Sequence, residues 1–184
     1  MVEKNGAKGD HPLSRVELRG AKPDRVAFAA VPRRPITVVL DRVRQNYNIG
    51  AIFRLCDVFL VDRLIIGGIA VDLRKRKLVQ AARGTQNWVP WEHAEDAAVA
   101  VAAAKSAGAR IVAVELTSAG VSPEALAPAF PVCLVLGSEA DGLSPDIIAM
   151  ADVAVTIPML GMGNSINVAT AAAILLHCLS ARQG

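Results

Sequence analysis

Aromatic side chains are scarce in this chain of 184 residues, at 4% Phe, Trp and Tyr against 53% hydrophobic residues overall. Its core must therefore be packed from Val, Leu, Ile and Ala, which suits helices lying close on a buried sheet. Cysteine is almost absent as well. Cys56, Cys133 and Cys178 lie far apart, form no C-x-x-C pair and each fall in an apolar run, which excludes a disulfide framework and predicts buried free thiols in a reducing compartment. The three histidines, His11, His93 and His177, stand at no metal-ligand spacing from carboxylates or thiols, and H-E-x-x-H does not occur, so no metal is expected. His177, in an apolar helical run, reads as a packing residue. No G-x-G-x-x-G follows the first strand and no Walker A loop occurs, which removes both common phosphate cradles; without G-x-S-x-G a hydrolase triad has no support. The polar, mixed-charge amino terminus lacks the pattern of a signal peptide. The apolar run over 165–181 is too short and too polar at its start to span a bilayer. A cytoplasmic protein that contacts no membrane is expected.

What the chain does contain is strand and helix in alternation. ITVVL at 36–40 reads as a β-branched strand, and a helix over about 48–60 carries the apolar stripe Ile49, Ile52, Phe53, Cys56, Phe59 and Leu60. RLIIGG at 63–68 is a second strand, 72–82 a basic helix, and WVPWEHA holds a short edge strand broken by Pro90. An Ala-rich helix over 94–107 stops at Gly108. IVAVEL and VCLVLG, at 111–116 and 132–137, are continuous apolar runs of the kind buried on both faces of a parallel sheet. A short helix at 145–150, a strand at 153–157 and a terminal helix over 165–181 complete an α/β domain with a mostly parallel sheet flanked by helices. Residues 1–32 show little periodicity and read as a flexible or accessory arm before a domain over 33–184.

Charge is divided unevenly along the chain. Through residue 83 there are 17 Lys and Arg against 8 Asp and Glu, and from residue 84 onward 3 against 9. A basic first half and an acidic second half suggest a polyanion laid against one face, and nucleic acid is the favoured partner. The excess lies in Arg33, Arg34, Arg42 and Arg44, and in Arg74, Lys75, Arg76, Lys77 and Arg83.

Ligand sites in such sheets lie beyond the carboxyl ends of strands. Leu116-Thr117, Gly137-Ser138-Glu139 and the stretch from Met159 to Asn167 all fall there. Glycines admit main-chain amides to a ligand, and Ser165 and Asn167 add polar tips. With Asn48, Arg54 and Glu139 they form a set suited to binding and orientation rather than hydrolysis.

Three blocks in order, NYNIGAIFR at 46–54, LGSEADGLS at 136–144, and IPM at 157–159 with NSINVA at 164–169, resemble the motifs of the SpoU/TrmH-type RNA ribose 2′-O-methyltransferases of the SPOUT superfamily. The likeness runs over about 33–181, with Ile166 in place of a commoner Leu and Ala140 in place of a commoner Gly. It implies S-adenosylmethionine as cofactor, a homodimer whose sites draw on both subunits, and a trefoil knot in the carboxyl-terminal segment, which strand periodicity alone does not predict. By the same resemblance Arg54 is the catalytic position and Asn48 the first-motif asparagine. Glu139 holds loop amides, and Ser165 and Asn167 complete the acceptor and cofactor pocket. The cofactor-binding residues are then Leu116, Thr117, Gly137, Ile157, Met159, Gly161, Ser165 and Ile166. An arginine pKa above about 12 makes a literal general base costly, so Arg54 is expected to grip a phosphate and align the hydroxyl; the plainer reading is a surface pair with Asp57. Two other functions share this fold: a base methyltransferase, which commonly lacks the block at 48–54, and a catalytically silent RNA-binding module. About 32 residues before the domain are too few for a separate RNA-binding domain, which points to transfer RNA over ribosomal RNA.

Overall fold

The computed structural model describes residues 12–20, 22–127 and 129–181. His11 and the rest of 1–11, Ala21 within the arm, and the last three positions of the expected domain lie outside the described residues. The chain divides into two compact units, Met1–Pro32 and Arg33–Gly184. The first holds two short helices where no periodicity announces them, α1 (Arg15–Gly20) and α2 (Arg25–Ala29). Local capping explains both. Ser14 and Glu17 exchange bonds as a capping box, Glu17 N to Ser14 Oγ at 3.3 Å and Ser14 N to Glu17 Oε2 at 2.7 Å. Asp24 Oδ1 accepts from Val26 N and Ala27 N at 2.9 and 2.8 Å.

The second unit is an α/β layer structure. Its strands are β1 (Arg34–Asp41), β2 (Val61–Gly67), β3 (Trp91–Ala94), β4 (Arg110–Val114), β5 (Val132–Leu136) and β6 (Val153–Val155). They form a six-stranded sheet in the order β3-β2-β1-β5-β4-β6, and every pairing is parallel. The helices are α3 (Asn46–Val58), α4 (Arg76–Ala82), α5 (Ala97–Ser106), α6 (Pro145–Met150) and α7 (Val168–Ala181). The pleat sorts them. Ile36, Val38 and Leu40 face a core shared with Ile49, Ile52, Phe53 and Cys56 of α3, Leu78 of α4 and Leu175, Leu176 and Leu179 of α7. Val39, Ile65, Ile111 and Val135 point the other way, onto Ala97 and Val101 of α5 and Ile147 of α6. Burial on both faces is why these strands read as continuous apolar runs.

Several boundaries differ from the sequence reading. Helix α3 starts at Asn46, which puts Asn48 inside its first turn rather than at a cap. The basic helix is shorter than 72–82, because Asp72 holds 72–75 as a turn, accepting from Arg74 N at 3.0 Å. The strand after α6 ends at Val155, since Thr156 N turns to Val121 O. The terminal helix begins at Val168 and not at 165, because Asn167 Oδ1 caps it by accepting from Ala169 N and Thr170 N at 2.9 and 3.3 Å. Among its described residues the link from β4 to β5 carries no helix. It runs outside β6 instead, Val121 bridging Val155 in parallel. His177 is exposed on α7 and not packed in the core. The thiols of Cys56 and Cys133 are buried, which raises the pKa of both, that of Cys133 to about 12; they stay protonated at neutral pH.

Candidate cofactor cavity and basic face

Strand register brings four carboxyl ends level. Leu40 pairs with Leu136, Leu136 with Val114, and Val114 with Val155, so Asp41, Gly137, Glu115 and Thr156 leave the sheet side by side. At this edge lies a cavity of about 420 Å³, within the range of small-molecule sites. Leu116, Gly137, Ile157, Met159, Ser165 and Ile166 line it, together with Glu139 and Asn167. Thr117 and Gly161 do not line it. Thr117 belongs to its support: its N–H donates to Thr156 Oγ1 at 3.2 Å, and that hydroxyl donates to Glu115 O at 2.8 Å.

A hydrogen-bonded chain through Asn48 joins two residues of the cavity lining, Glu139 and Asn167. Asn48, 1% exposed, donates from Nδ2 to Glu139 Oε1 at 2.5 Å and accepts at Oδ1 from Asn167 Nδ2 at 2.9 Å. Asn167 in turn caps α7, so a single amide in α3 ties the loop after β5 to the start of the terminal helix. Burial makes the arrangement obligatory, because an unpartnered amide there would cost about 1–3 kcal/mol.

The loop 137–144 is folded tightly on itself and held from beneath. Ser138 and Gly142 exchange main-chain bonds at 3.2 and 3.1 Å, and Gly142 takes φ +66°, a conformation that favours glycine. Gly137 lies so close under this turn that a Cβ would meet Leu143 N at 2.5 Å. Two carboxylates then take adjacent amides. Leu143 N donates to Glu115 Oε2 at 2.9 Å and Ser144 N to Asp41 Oδ2 at 2.8 Å. Neither carboxylate was singled out by motif, although a charged residue closing each of two apolar strand runs, at Asp41 and Glu115, was a visible signal. Gln45 and Gly142 are likewise lining residues that the motif reading passed over. The ionisable residues among those lining the cavity are Glu115 and Glu139, with no Lys, Arg or His.

Arg54 does not reach this cavity. It is exposed on α3 and lines a separate groove with Tyr47, Val58, Thr170 and Ala173, with Asn167 forming the wall shared by groove and cavity. Asp57 Oδ1 accepts instead from Trp88 Nε1 at 2.6 Å. The basic residues separate into two groups. Arg33 donates to Val61 O at 2.9 Å and Arg34 to Ser180 O at 2.7 Å, so both are engaged with the protein's own main chain. Arg42 is half-buried against buried Asp41, whose hydrogen bond and charge raise the arginine pKa. Arg44, Lys75, Arg76, Lys77 and Arg83 are exposed. So is Arg74, paired with Asp72 at 2.9 Å, an interaction that lowers the pKa of the Asp72 carboxyl. Among the described residues no group of His, Cys, Asp and Glu is placed to hold a metal, and no helix is long and apolar enough to cross a membrane.

The chain is similar to known proteins. The profile of the SpoU rRNA methylase family matches residues 35–177. The tRNA (guanosine(18)-2′-O)-methyltransferase of Escherichia coli K12 is 30% identical over 154 residues, which are 83% of this chain and 66% of that protein. The TrmH/SpoU tRNA modifying enzyme of Aquifex aeolicus superposes with a TM-score of 0.72 at 31% identity, over 82% of this chain and 77% of that one. The AdoMet-bound rRNA methyltransferase of Sinorhizobium meliloti does so with a TM-score of 0.73 at 29% identity, over 83% of this chain and 57% of the other. The chain thus spans about two thirds of the curated bacterial tRNA relative and less of some solved relatives.

Proposed function

This chain belongs to the SpoU rRNA methylase family, and we propose that it transfers a methyl group from S-adenosylmethionine to a ribose 2′-hydroxyl of structured RNA, with transfer RNA as substrate, in the cytoplasm. The observation that carries the reading is the cavity at the carboxyl ends of β1, β5, β4 and β6, lined by the motif residues Gly137, Glu139, Ser165 and Asn167. The residues fit the cofactor: residues of three loops surround the space, and the carboxylates that line it suit a cationic sulfonium. When bound, the cofactor supplies an electrophilic methyl group for in-line displacement. The chain's own task is to orient. Asn48 fixes Glu139 and Asn167, and the loop 137–144 shapes one wall. Arg54 grips the phosphate beside the target ribose with its planar guanidinium and aligns the hydroxyl, whose proton leaves late to solvent. Phosphates are taken by Arg44, Lys75, Arg76, Lys77 and Arg83, with Arg74 exchanging Asp72 for RNA. The domain is residues 33–184, with 1–32 an accessory arm.

The test is nucleoside analysis of transfer RNA incubated with the protein and S-adenosylmethionine in chelator. A 2′-O-methylated ribose is expected, with position 18 examined first because the Escherichia coli relative is named for it. A methylated base, strict metal dependence, or methylation of ribosomal RNA alone would contradict the reading, as would binding without any transfer.

We also propose a two-fold homodimer. Arg54 lies in a groove apart from the cavity, and that groove is flanked by exposed Tyr47 and Val58 and by half-buried Ala173 on the apolar α7. A second copy covering it would bring Arg54 to its partner's cavity. Light scattering is expected to give twice the chain mass at micromolar concentration, and mixing Arg54→Ala chains with a cavity-inactive variant should restore part of the activity; a fully active monomer would refute the arrangement. A trefoil knot in the carboxyl-terminal segment is the topology we favour. It is supported by β6 lying between β4 and the segment at Val121, and by α6 and α7 packing on opposite faces of the sheet.

A further inference from the structure

We propose that Glu115 is a positioning residue of the cofactor cavity, its single carboxylate joining the loop that follows β4 to the loop that follows β5 and so setting the distance between two cavity walls. The proposal rests on the reading of that cavity as the S-adenosylmethionine site.

The two walls diverge where the sheet ends. Strands β4 and β5 are paired through Val114 and Leu136, and beyond that point the chains leave in different directions. Glu115 is the first residue past the pairing. Its Oε1 accepts from Leu116 N at 2.9 Å and its Oε2 from Leu143 N at 2.9 Å, so each oxygen serves one wall. Both bonds run from a main-chain N–H to a carboxylate, the stronger kind. The backbone of Glu115 is fixed as well, its N–H on Val155 O at 3.1 Å and its carbonyl accepting from Thr156 Oγ1 at 2.8 Å. The carboxylate therefore projects from a rigid base rather than from a mobile loop.

The turn it holds has been shaped to receive it. A Cβ at Gly142 would run into Glu115 Oε2, so the absence of a side chain at 142 admits the carboxylate as well as permitting the positive φ. Glu115 also lines the cavity with Glu139, and its charge has the sign that attracts a sulfonium.

Length and charge are separable by substitution. Glu115→Asp keeps the charge but is one methylene short of spanning Leu116 N and Leu143 N together. Glu115→Gln keeps the length and one acceptor while turning an N–H₂ against the other amide. If the spanning geometry matters, Asp should behave like Ala and Gln should lie between Ala and the wild type. Isothermal titration of the full chain with S-adenosylmethionine is expected to show affinity weakened about tenfold or more for Glu115→Ala and Glu115→Asp, the scale of losing one charged hydrogen bond. Filter binding of transfer RNA should be unchanged, which a general loss of structure would not allow. Gly142→Ala supplies an independent arm: it should weaken cofactor binding in the wild type and cost less in the Glu115→Ala background, where its strain persists but the collision is gone.

The proposal is overturned if Glu115→Ala and Glu115→Asp bind the cofactor like the wild type. It is equally overturned if RNA affinity and melting temperature fall in parallel with cofactor affinity, or if Asp matches the wild type while Gln matches Ala. Should Glu115→Ala fail to fold, the near-isosteric Glu115→Gln carries the measurement, and wild-type affinity there overturns the idea. A wild-type chain that does not bind S-adenosylmethionine at all is a different result, because it removes the cofactor reading itself.

Discussion

Arg54→Ala is expected to lower methyl transfer by at least about a hundredfold, the scale seen when one preorganised charge or donor is removed from a reacting centre. It should leave S-adenosylmethionine affinity within about twofold of the wild type, since the proposed role of Arg54 is to hold the RNA phosphate and it lines no part of its own chain's cavity. The fold should survive the change. Arg54 is exposed, while Ile49, Ile52, Phe53 and Cys56 on the same helix are buried, so the substitution removes no core contact. Single-turnover kinetics at saturating RNA and cofactor separate the two effects. Normal turnover, or lost cofactor binding with turnover kept, would show that Arg54 does not address the acceptor. Replacing Arg74, Lys75, Arg76 and Lys77 together should give the opposite pattern. The raised KM for RNA and the flatter salt dependence of binding follow from lost phosphate contacts, each worth about one unit of the salt slope on a duplex. Turnover at saturation should be largely kept.

Asn48→Ala is expected to be the most damaging single change to both stability and activity. The side chain is buried at 1% exposure and bonds at both ends, to Glu139 and to Asn167. Truncation leaves a carboxylate and an amide without their partner and opens a gap at a buried position. A loss of about 2 kcal/mol in urea unfolding is expected from two lost hydrogen bonds at about 0.5–1.5 kcal/mol each, since Glu139 and Asn167 are exposed and regain water. Activity should fall further than stability explains, because the loop after β5 and the start of α7 lose their common anchor. Asn48→Asp is expected to be worse at neutral pH, since it sets a second carboxylate against Glu139 where the amide now donates. A variant at Asn48 that unfolds within about 0.5 kcal/mol of the wild type would show that the bridge carries little weight, as neutral surface substitutions do.

The contrast between these two residues marks what could be read from one dimension. Continuous apolar runs at 36–40, 111–116 and 132–137 belong to a parallel sheet covered on both faces because no position in them can face water, and that is a property of composition along a short stretch. The same locality placed Gly137, Glu139, Ser165 and Asn167 beyond strand ends, where the cavity is found. The three motif blocks carried the family, which a match over residues 35–177 bears out. Helix starts were less legible, since Ser165 and Asn167 both offer a capping side chain and it is Asn167 that accepts from Ala169 N and Thr170 N. Long-range partners were not legible at all. Asn48 meets Glu139 across 91 residues and Asn167 across 119, and Glu115 meets Leu143 across 28. The basic cluster shows the same limit from the surface: Arg33 and Arg34 are as charged as Arg44, yet tertiary structure turns them onto Val61 O and Ser180 O and leaves Arg44 exposed. Local sequence determined which segments are strands and which polar residues stand at their tips. The folding of distant segments onto one sheet edge decided which of those residues touch, because a hydrogen bond depends on ångström distances that separation along the chain does not encode.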